Sequence, residues 1–198
     1  MALILFSKLF FLEFLLINHP LDCPVCDQAS ECDLQDQTMI FGSDKSRFFF
    51  KKRGVEDKNC GPFIKTIMTR CIHCTRCVRF SDEIAGTPSF GTLNRGSNTE
   101  VGSYVQNIFD IEISGTVIDL CPVGALTFKT YAFKARPWEL RCQETIDFTS
   151  GVGSPLLINF KESEIVRIQP KIDSSIQNSI ISDKIRFSFD CKTPYDLY

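Results

Sequence analysis

Residues 68–79 read MTRCIHCTRCVR, and residues 117–124 read VIDLCPVG. Cys71, Cys74 and Cys77 are separated by two residues each, and Cys121-Pro122 follows far downstream. A cube of four irons and four sulfides takes a ligand at each of four corners. Three cysteines at this spacing can wrap one side, and the fourth, commonly followed by proline, comes from elsewhere in the chain. Pro122 removes a backbone donor and stiffens the turn that presents the sulfur. Zinc is the competing ion. Its tetrahedral sites favour two separated pairs of ligands, which three clustered cysteines and a remote one fit poorly. The spacing favours iron–sulfur chemistry.

Upstream, residues 19–32 read HPLDCPVCDQASEC, which offers one imidazole and three thiols: His19, Cys23, Cys26 and Cys32. Three cysteines and a histidine also suit zinc, so this spacing alone leaves both metals open. The neighbouring motif tips the reading to iron, because an electron carrier gains from a second centre within tunnelling reach. Exchanging one thiolate for a neutral imidazole removes a negative charge from the ligand shell. That raises the reduction potential, as histidine does in Rieske centres. Cys60, Cys142 and Cys191 have no partner at ligand spacing and read as structural. His73 reads as a polar neighbour, because Cys121 already completes its set. Arg70, Arg76 and Arg79 surround the same motif, either favouring a reduced cluster or forming a solvated face.

The rest of the chain narrows the function. With 198 residues, 43% hydrophobic and 23% charged, the composition is that of a globular protein. A net charge of −2 argues against nucleic acid as a partner. Ten cysteines are too few for a small disulfide scaffold. Eighteen phenylalanines among many Ile, Lys and Ser suggest an AT-rich gene of the organelle kind. No phosphate-binding glycine loop and no nucleophile elbow is present, so no catalytic residues are assigned and no complete active site is expected.

Residues 1–17, MALILFSKLFFLEFLLI, resemble a membrane span but are interrupted by Lys8 and Glu13. They read instead as a buried amphipathic helix, clearest over 10–18 and ended by Pro20. Residues 44–59 read as a strand or surface crossing, 62–85 as helical around the cysteines, and 86–103 as turns. Residues 104–135 read as short strands with a helical turn at Cys121-Pro122. Leu156–Phe160 and Glu164–Ile168 read as a β-hairpin. The expected class is α+β. A helix stub (1–18) precedes two small loop-rich iron–sulfur domains (19–59 and 60–137, the second ferredoxin-like), and a short β-rich segment (138–198) follows.

The stretches FLEFLLINHPLDCPVCDQASECDLQDQ, FGSDKSRF, GPFIKTIMTRCIHCTRCVRF, VIDLCPVGALT and ARPWEL resemble the family of 75 kDa iron–sulfur subunits of respiratory complex I. The likeness runs from about residue 10 to the end. Ala29 stands where the family usually has glycine. The resemblance implies two 4Fe–4S clusters, one on His19, Cys23, Cys26 and Cys32 and one on Cys71, Cys74, Cys77 and Cys121. Electrons would pass from the four-cysteine centre to the histidine-containing one, on the way from flavin to quinone. It implies a chain lacking the family's N-terminal 2Fe–2S domain and most of its C-terminal molybdopterin-type domain, with 138–198 as that domain's start. The positions of an extra cluster found in some members fall on Asp147, Ser150, Ser154 and Ser182, so no third cluster is expected.

The implied partners are a flavin/NADH-binding subunit, an eight-iron ferredoxin-like subunit and a 49 kDa-type subunit, with separate chains supplying the missing domains. The implied location is the matrix side of the mitochondrial inner membrane, with organelle encoding and no membrane span of its own. A bacterial cytoplasmic side is the alternative. Competing functions are the diaphorase subunit of an NAD-linked hydrogenase and a zinc-stabilised structural module.

Overall fold

The computed structural model describes residues 2–103, 108–171 and 180–190, with the side chains of 2–6 left aside. Among the described residues the fold mixes short helices with three small antiparallel sheets. Helix α1 spans Ala2–Leu16. It is longer than expected, since no glycine or proline interrupts it before Pro20. It is not amphipathic. Leu12 is buried, but Phe11 and Phe14 are 67% and 58% exposed. Apolar residues on every side of a helix cannot all face one small core. The two charges that break the run are used locally. Lys8 Nζ lies over the Phe41 ring at 4.2 Å, and Glu13 pairs with Arg47. Among the described residues no helix is long and apolar enough to cross a membrane.

Helix α2 (Asp33–Phe41) follows Cys32 directly, with Asp33 and Asp36 in its first turn, where acidic groups favour the helix dipole. Residues 42–63 form no regular element, and Phe49 is 93% exposed. The surface crossing is found and the strand is not. Residues 62–85, expected as helical, begin with strand β1 (Ile64–Thr66). A 3-10 turn at Met68–Arg70 precedes the cysteines, and a helical turn, α3 (Arg76–Arg79), includes Cys77 and runs into a wider π turn. Within the expected turn region, β2 (Gly91–Leu93) and β3 (Glu100–Gly102) pair as a hairpin.

Helix α4 (Thr116–Leu120) leads straight into Cys121, and β4 (Leu126–Phe128) follows. Strand β4 pairs antiparallel with β1, Thr66 opposite Leu126. Cys71 and Cys121 lie equally far beyond the same end of that ladder, so the pairing itself brings the remote cysteine back to the clustered three. Ile64, Met68, Phe80, Phe109, Val117 and Leu126 form the core behind them.

The expected hairpin is present as β6 (Pro155–Lys161) and β7 (Glu164–Pro170). Glu162 in its turn has φ +55, as tight hairpin turns require. A third strand, β5 (Arg141–Ile146), lies along β6 and was not foreseen. Its side chains are exposed on both faces, so no alternation marks it. The last described segment carries α5 (Asp183–Arg186). Asp183 accepts from Ser114 Oγ at 2.5 Å and from the Gly115 N–H at 2.9 Å. The buried Arg186 reaches Asp119 at 2.6 Å. Both contacts brace the helix that presents Cys121.

Candidate metal centres

Cys71, Cys74, Cys77 and Cys121 line one small cavity, walled otherwise by Met68, Val101, Val123, Ala125 and Leu126. The loop between the first three turns through two left-handed residues, His73 at φ +56 and Thr75 at φ +60. Such backbone costs about 1–2 kcal/mol per non-glycine residue and persists where the surroundings impose it. It aims successive cysteines at one point. The His73 N–H donates to Cys71 Sγ at 3.4 Å, and Cys121 Sγ lies 3.0 Å from the Val123 carbonyl.

Burial pushes the Cys77 thiol up to about 12, and the neighbouring Cys121, Cys71 and Cys74 add to it. Burial likewise raises Cys71 and Cys121. Burial keeps the Cys71, Cys77 and Cys121 thiols protonated, the exposed Cys74 stands beside them, and binding of a positively charged group releases such protons. Among the described residues no three His, Cys, Asp or Glu side chains gather as they would around a single ion. Four thiols lining one cavity are the donor set that an iron–sulfur cluster takes.

The second set is less gathered. Cys23 begins a short turn with Pro24 and is exposed, while Cys26 and Cys32 are buried. His19, Cys23 and Cys32 line a groove under α1. Cys26 Sγ points instead at Gly124, where an added Cβ would stand 2.2 Å away. Three of the four expected ligands thus share a cavity wall, and the fourth faces the other centre's loop. His19 Nδ1 is buried without a hydrogen-bond partner. Burial first, then Lys52 and Arg70, lower the basicity of His19, which keeps the imidazole in the neutral form a metal requires. Burial raises the Cys32 thiol, and the backbone amides of Gln35 and Leu34 oppose it. The donors and the orphaned imidazole nitrogen fit a cluster here too.

Long-range contacts hold this loop. Arg136 Nη1 donates to the Cys26 carbonyl at 2.6 Å, and Nη2 donates to that of Pro24. The Asp27 carboxylate accepts the Phe133 N–H at 2.8 Å. Arg167 forks onto Glu31, and the buried Arg70 meets Asp22 at 3.1 Å. The two centres touch. The Asp33 N–H, next to Cys32, donates to the Pro122 carbonyl at 3.1 Å, next to Cys121. Cys32, Val123 and Ala125 share an apolar cluster flanked by Cys71, Ile72 and Cys121.

Of the three arginines singled out from sequence, Arg79 is exposed and paired with Glu83, and Arg76 is exposed near Asp33. Arg70 is buried, on the His19 side. The residues that anchor the loops, Arg136, Arg167 and Glu31, were not foreseen as such; only the ARPWEL stretch hinted at the first. Cys60 is buried in the core, its thiol pushed up to about 11 by burial. Cys142 lies exposed on β5, and Cys191 is outside the described residues. Asp147 closes a turn by accepting from Thr149 and Ser150, and its N–H meets the Ser154 carbonyl at 2.9 Å. Ser182 sits apart, at the start of α5.

Three family models match in succession. They are an NADH-ubiquinone oxidoreductase-G iron–sulfur binding region over 10–47, the ferredoxin-like domain of NADH-quinone oxidoreductase subunit 3 over 61–127, and an NDSU1/NuoG-like 4Fe-4S domain over 140–190. All three models describe iron–sulfur regions of NADH-quinone oxidoreductase subunits. Within that class, the chain is similar to 75 kDa subunits of NADH-ubiquinone oxidoreductase. It is 60% identical to the Reclinomonas americana 75 kDa subunit over 179 residues, 90% of this chain and 26% of that protein. It is 58% identical to the mitochondrial iron–sulfur protein 1 of NADH dehydrogenase from Solanum tuberosum, over 90% of this chain and 24% of that protein. The chain thus spans about a quarter of these relatives. Among solved structures, an NAD+-reducing [NiFe]-hydrogenase aligns with a TM-score of 0.61 at 25% identity, covering 68% of this chain and 59% of that one.

Proposed function

We propose that this chain relays single electrons through two 4Fe–4S clusters in NADH-ubiquinone oxidoreductase. One cluster sits on Cys71, Cys74, Cys77 and Cys121, and the other on His19, Cys23, Cys26 and Cys32. The observation that carries the reading is the convergence of four cysteines on one cavity, joined to the second set through Asp33 and Pro122. The clusters, when bound, supply one-electron redox chemistry. The protein's residues hold them by thiolate and imidazole, keep water away with Val123 and Ala125, and set them side by side. The division at 19–59, 60–137 and 138–198 is supported by three family matches that fall largely within those bounds.

Within this reading, electrons enter at the four-cysteine centre from a flavin/NADH-binding subunit. They leave from the histidine-containing centre toward an eight-iron ferredoxin-like subunit, with a 49 kDa-type subunit adjacent. The exposed phenylalanines of α1 and residues 48–50 fit burial against such partners. The location that follows is the matrix side of the mitochondrial inner membrane, from an organelle gene. Residues 138–198 are the start of a larger molybdopterin-type domain whose open edge is β5. The third matched segment carries Cys142 as its one cysteine, so two clusters are proposed rather than three.

Iron and acid-labile sulfide analysis tests this. About eight of each per chain are expected from two cubes, and about two zinc without sulfide would overturn the proposal. A second reading, the diaphorase side of an NAD-linked hydrogenase, is favoured by the solved-structure likeness. The match over 140–190 to an NADH-ubiquinone oxidoreductase domain weighs against it. Purification of the native assembly decides between quinone reduction and hydrogen uptake.

A further inference from the structure

Two consecutive cations stand where the cysteine loops meet. Lys52 Nζ donates to the Leu16 carbonyl at 2.9 Å and to that of Ile17 at 3.3 Å. It lines the same groove as His19, Cys23 and Cys32. The Arg53 N–H donates to Asn18 Oδ1 at 3.3 Å, which ties the crossing segment to the residue before His19. The Arg53 guanidinium turns the opposite way. It donates to the carbonyls of Ser97 and Thr99, the latter at 3.0 Å, and Nη2 lies 3.5 Å from His73 Nε2. His73 belongs to the loop of Cys71, Cys74 and Cys77. The two carbonyls fix the guanidinium beside that loop, and Asn18 fixes the backbone from which both side chains diverge.

We propose that Lys52 and Arg53 set the reduction potentials of the two centres separately, Arg53 that of the four-cysteine centre and Lys52 that of the histidine-containing one. The inference rests on the reading of both sites as one-electron clusters. One electron enters a centre from the donor before it and passes to the acceptor after it, and no ligand or proton leaves. The reduced state carries one more negative charge, so a fixed cation nearby favours it and raises the potential. Both are positioning residues, since neither is a ligand. Arg53 is half-buried and held at three points, whereas Lys52 is exposed, so Arg53 has the larger effect and Lys52 the more salt-sensitive one.

The test is a redox titration of the intact assembly, read by the spin-resonance signal of each cluster rather than by turnover. Arg53→Gln is expected to lower the potential of the four-cysteine signal and leave the other in place. Lys52→Gln should lower the histidine-centre potential by less, and added salt should shrink that shift. Arg53→Lys, which keeps the charge, should stay near the wild type. Equal shifts in Arg53→Gln and Arg53→Lys, or no shift in either glutamine variant, would overturn the proposal. If Arg53→Gln does not load the four-cysteine cluster, Arg53→Lys and Lys52→Gln decide. A wild-type assembly without either signal would instead overturn the cluster reading beneath it.

Discussion

The two cysteine sites are built by different means. The four-cysteine site hangs from the chain's own core: the β1–β4 pairing fixes Cys71 and Cys121, and α4, braced by Asp183 and Arg186, fixes the approach to the latter. Its thiols face one cavity. The histidine site is made of loop, held by hydrogen bonds that reach across 106 to 136 residues of sequence, from the Phe133 N–H and the Arg136 and Arg167 side chains. Each site has one exposed cysteine, Cys74 in the first and Cys23 in the second, but in the second Cys26 turns from the shared groove to face Gly124. A site on a ladder is shaped before its cluster arrives. A site on loops depends more on the cluster and on distant anchors, because ordering loop backbone costs about 1–2 kcal/mol per residue.

The largest expected effect breaks the first site outright. Cys74→Ser should abolish the four-cysteine cluster's spin-resonance signal and stop NADH-to-quinone electron flow, while flavin-site ferricyanide reduction survives. Unchanged quinone reduction would remove the in-line role. The matching change at the second site is milder. His19→Cys should retain a cluster and lower its potential, because a thiolate adds negative charge where a neutral imidazole stood. A titration without a downward shift would reject His19 as a ligand. The anchors separate the two sites further. Arg136→Ala frees the Pro24 and Cys26 carbonyls and should lower iron at the histidine centre, with the four-cysteine signal intact. Equal loss at both would mean that the loop is not independently held.

How much was legible in the sequence follows the same division. The proposed ligands were named from spacing and from the Cys121-Pro122 pair; the structure places Cys71, Cys74, Cys77 and Cys121 on one cavity and His19, Cys23 and Cys32 along one groove, with Cys26 turned to Gly124. The ladder that unites Cys121 with Cys71 was not legible. Strands of three residues, such as Ile64–Thr66, are too short to show alternation, and the cysteine-rich surroundings were taken for helix. The hairpin at 155–170 was legible because its apolar runs flank a polar turn. Strand β5 was not, being polar and exposed on both faces. The buried helix expected at the N-terminus failed for a physical reason: among the described residues, Phe11 and Phe14 stay mostly exposed. Arg136, Arg167 and Glu31 act across the fold, and no local pattern marks such pairs.

Close backbone approach gives a smaller effect that sharpens the comparison. Gly115 packs so tightly that an added Cβ would stand 2.7 Å from Arg186 Cδ and 2.8 Å from Asp183 Oδ1. Gly115→Ala should cost about 1–3 kcal/mol by overpacking. The loss should fall on the brace behind Cys121, read as a lower denaturation midpoint and earlier bleaching of the four-cysteine centre. Bleaching of the histidine centre first would reverse the proposed order of rigidity.

The smallest effect concerns a thiol outside both sites. The Cys60 thiol is pushed up to about 11 from an ordinary 9.0 by burial, with Lys129 opposing. The folded chain therefore holds that proton more tightly than the unfolded chain. The stabilisation is complete below about pH 9 and is lost as pH rises through about 11. Two units correspond to about 3 kcal/mol at most. Urea midpoints of the cluster-loaded chain should decline across that window, and less steeply in Cys60→Ala. The cluster ligands contribute nothing to this slope when loaded, since their protons left on binding. In the chain stripped of iron, Cys77, pushed up to about 12, extends the decline to higher pH. A slope identical in loaded and stripped chains would mean that the Cys77 sulfur holds no metal.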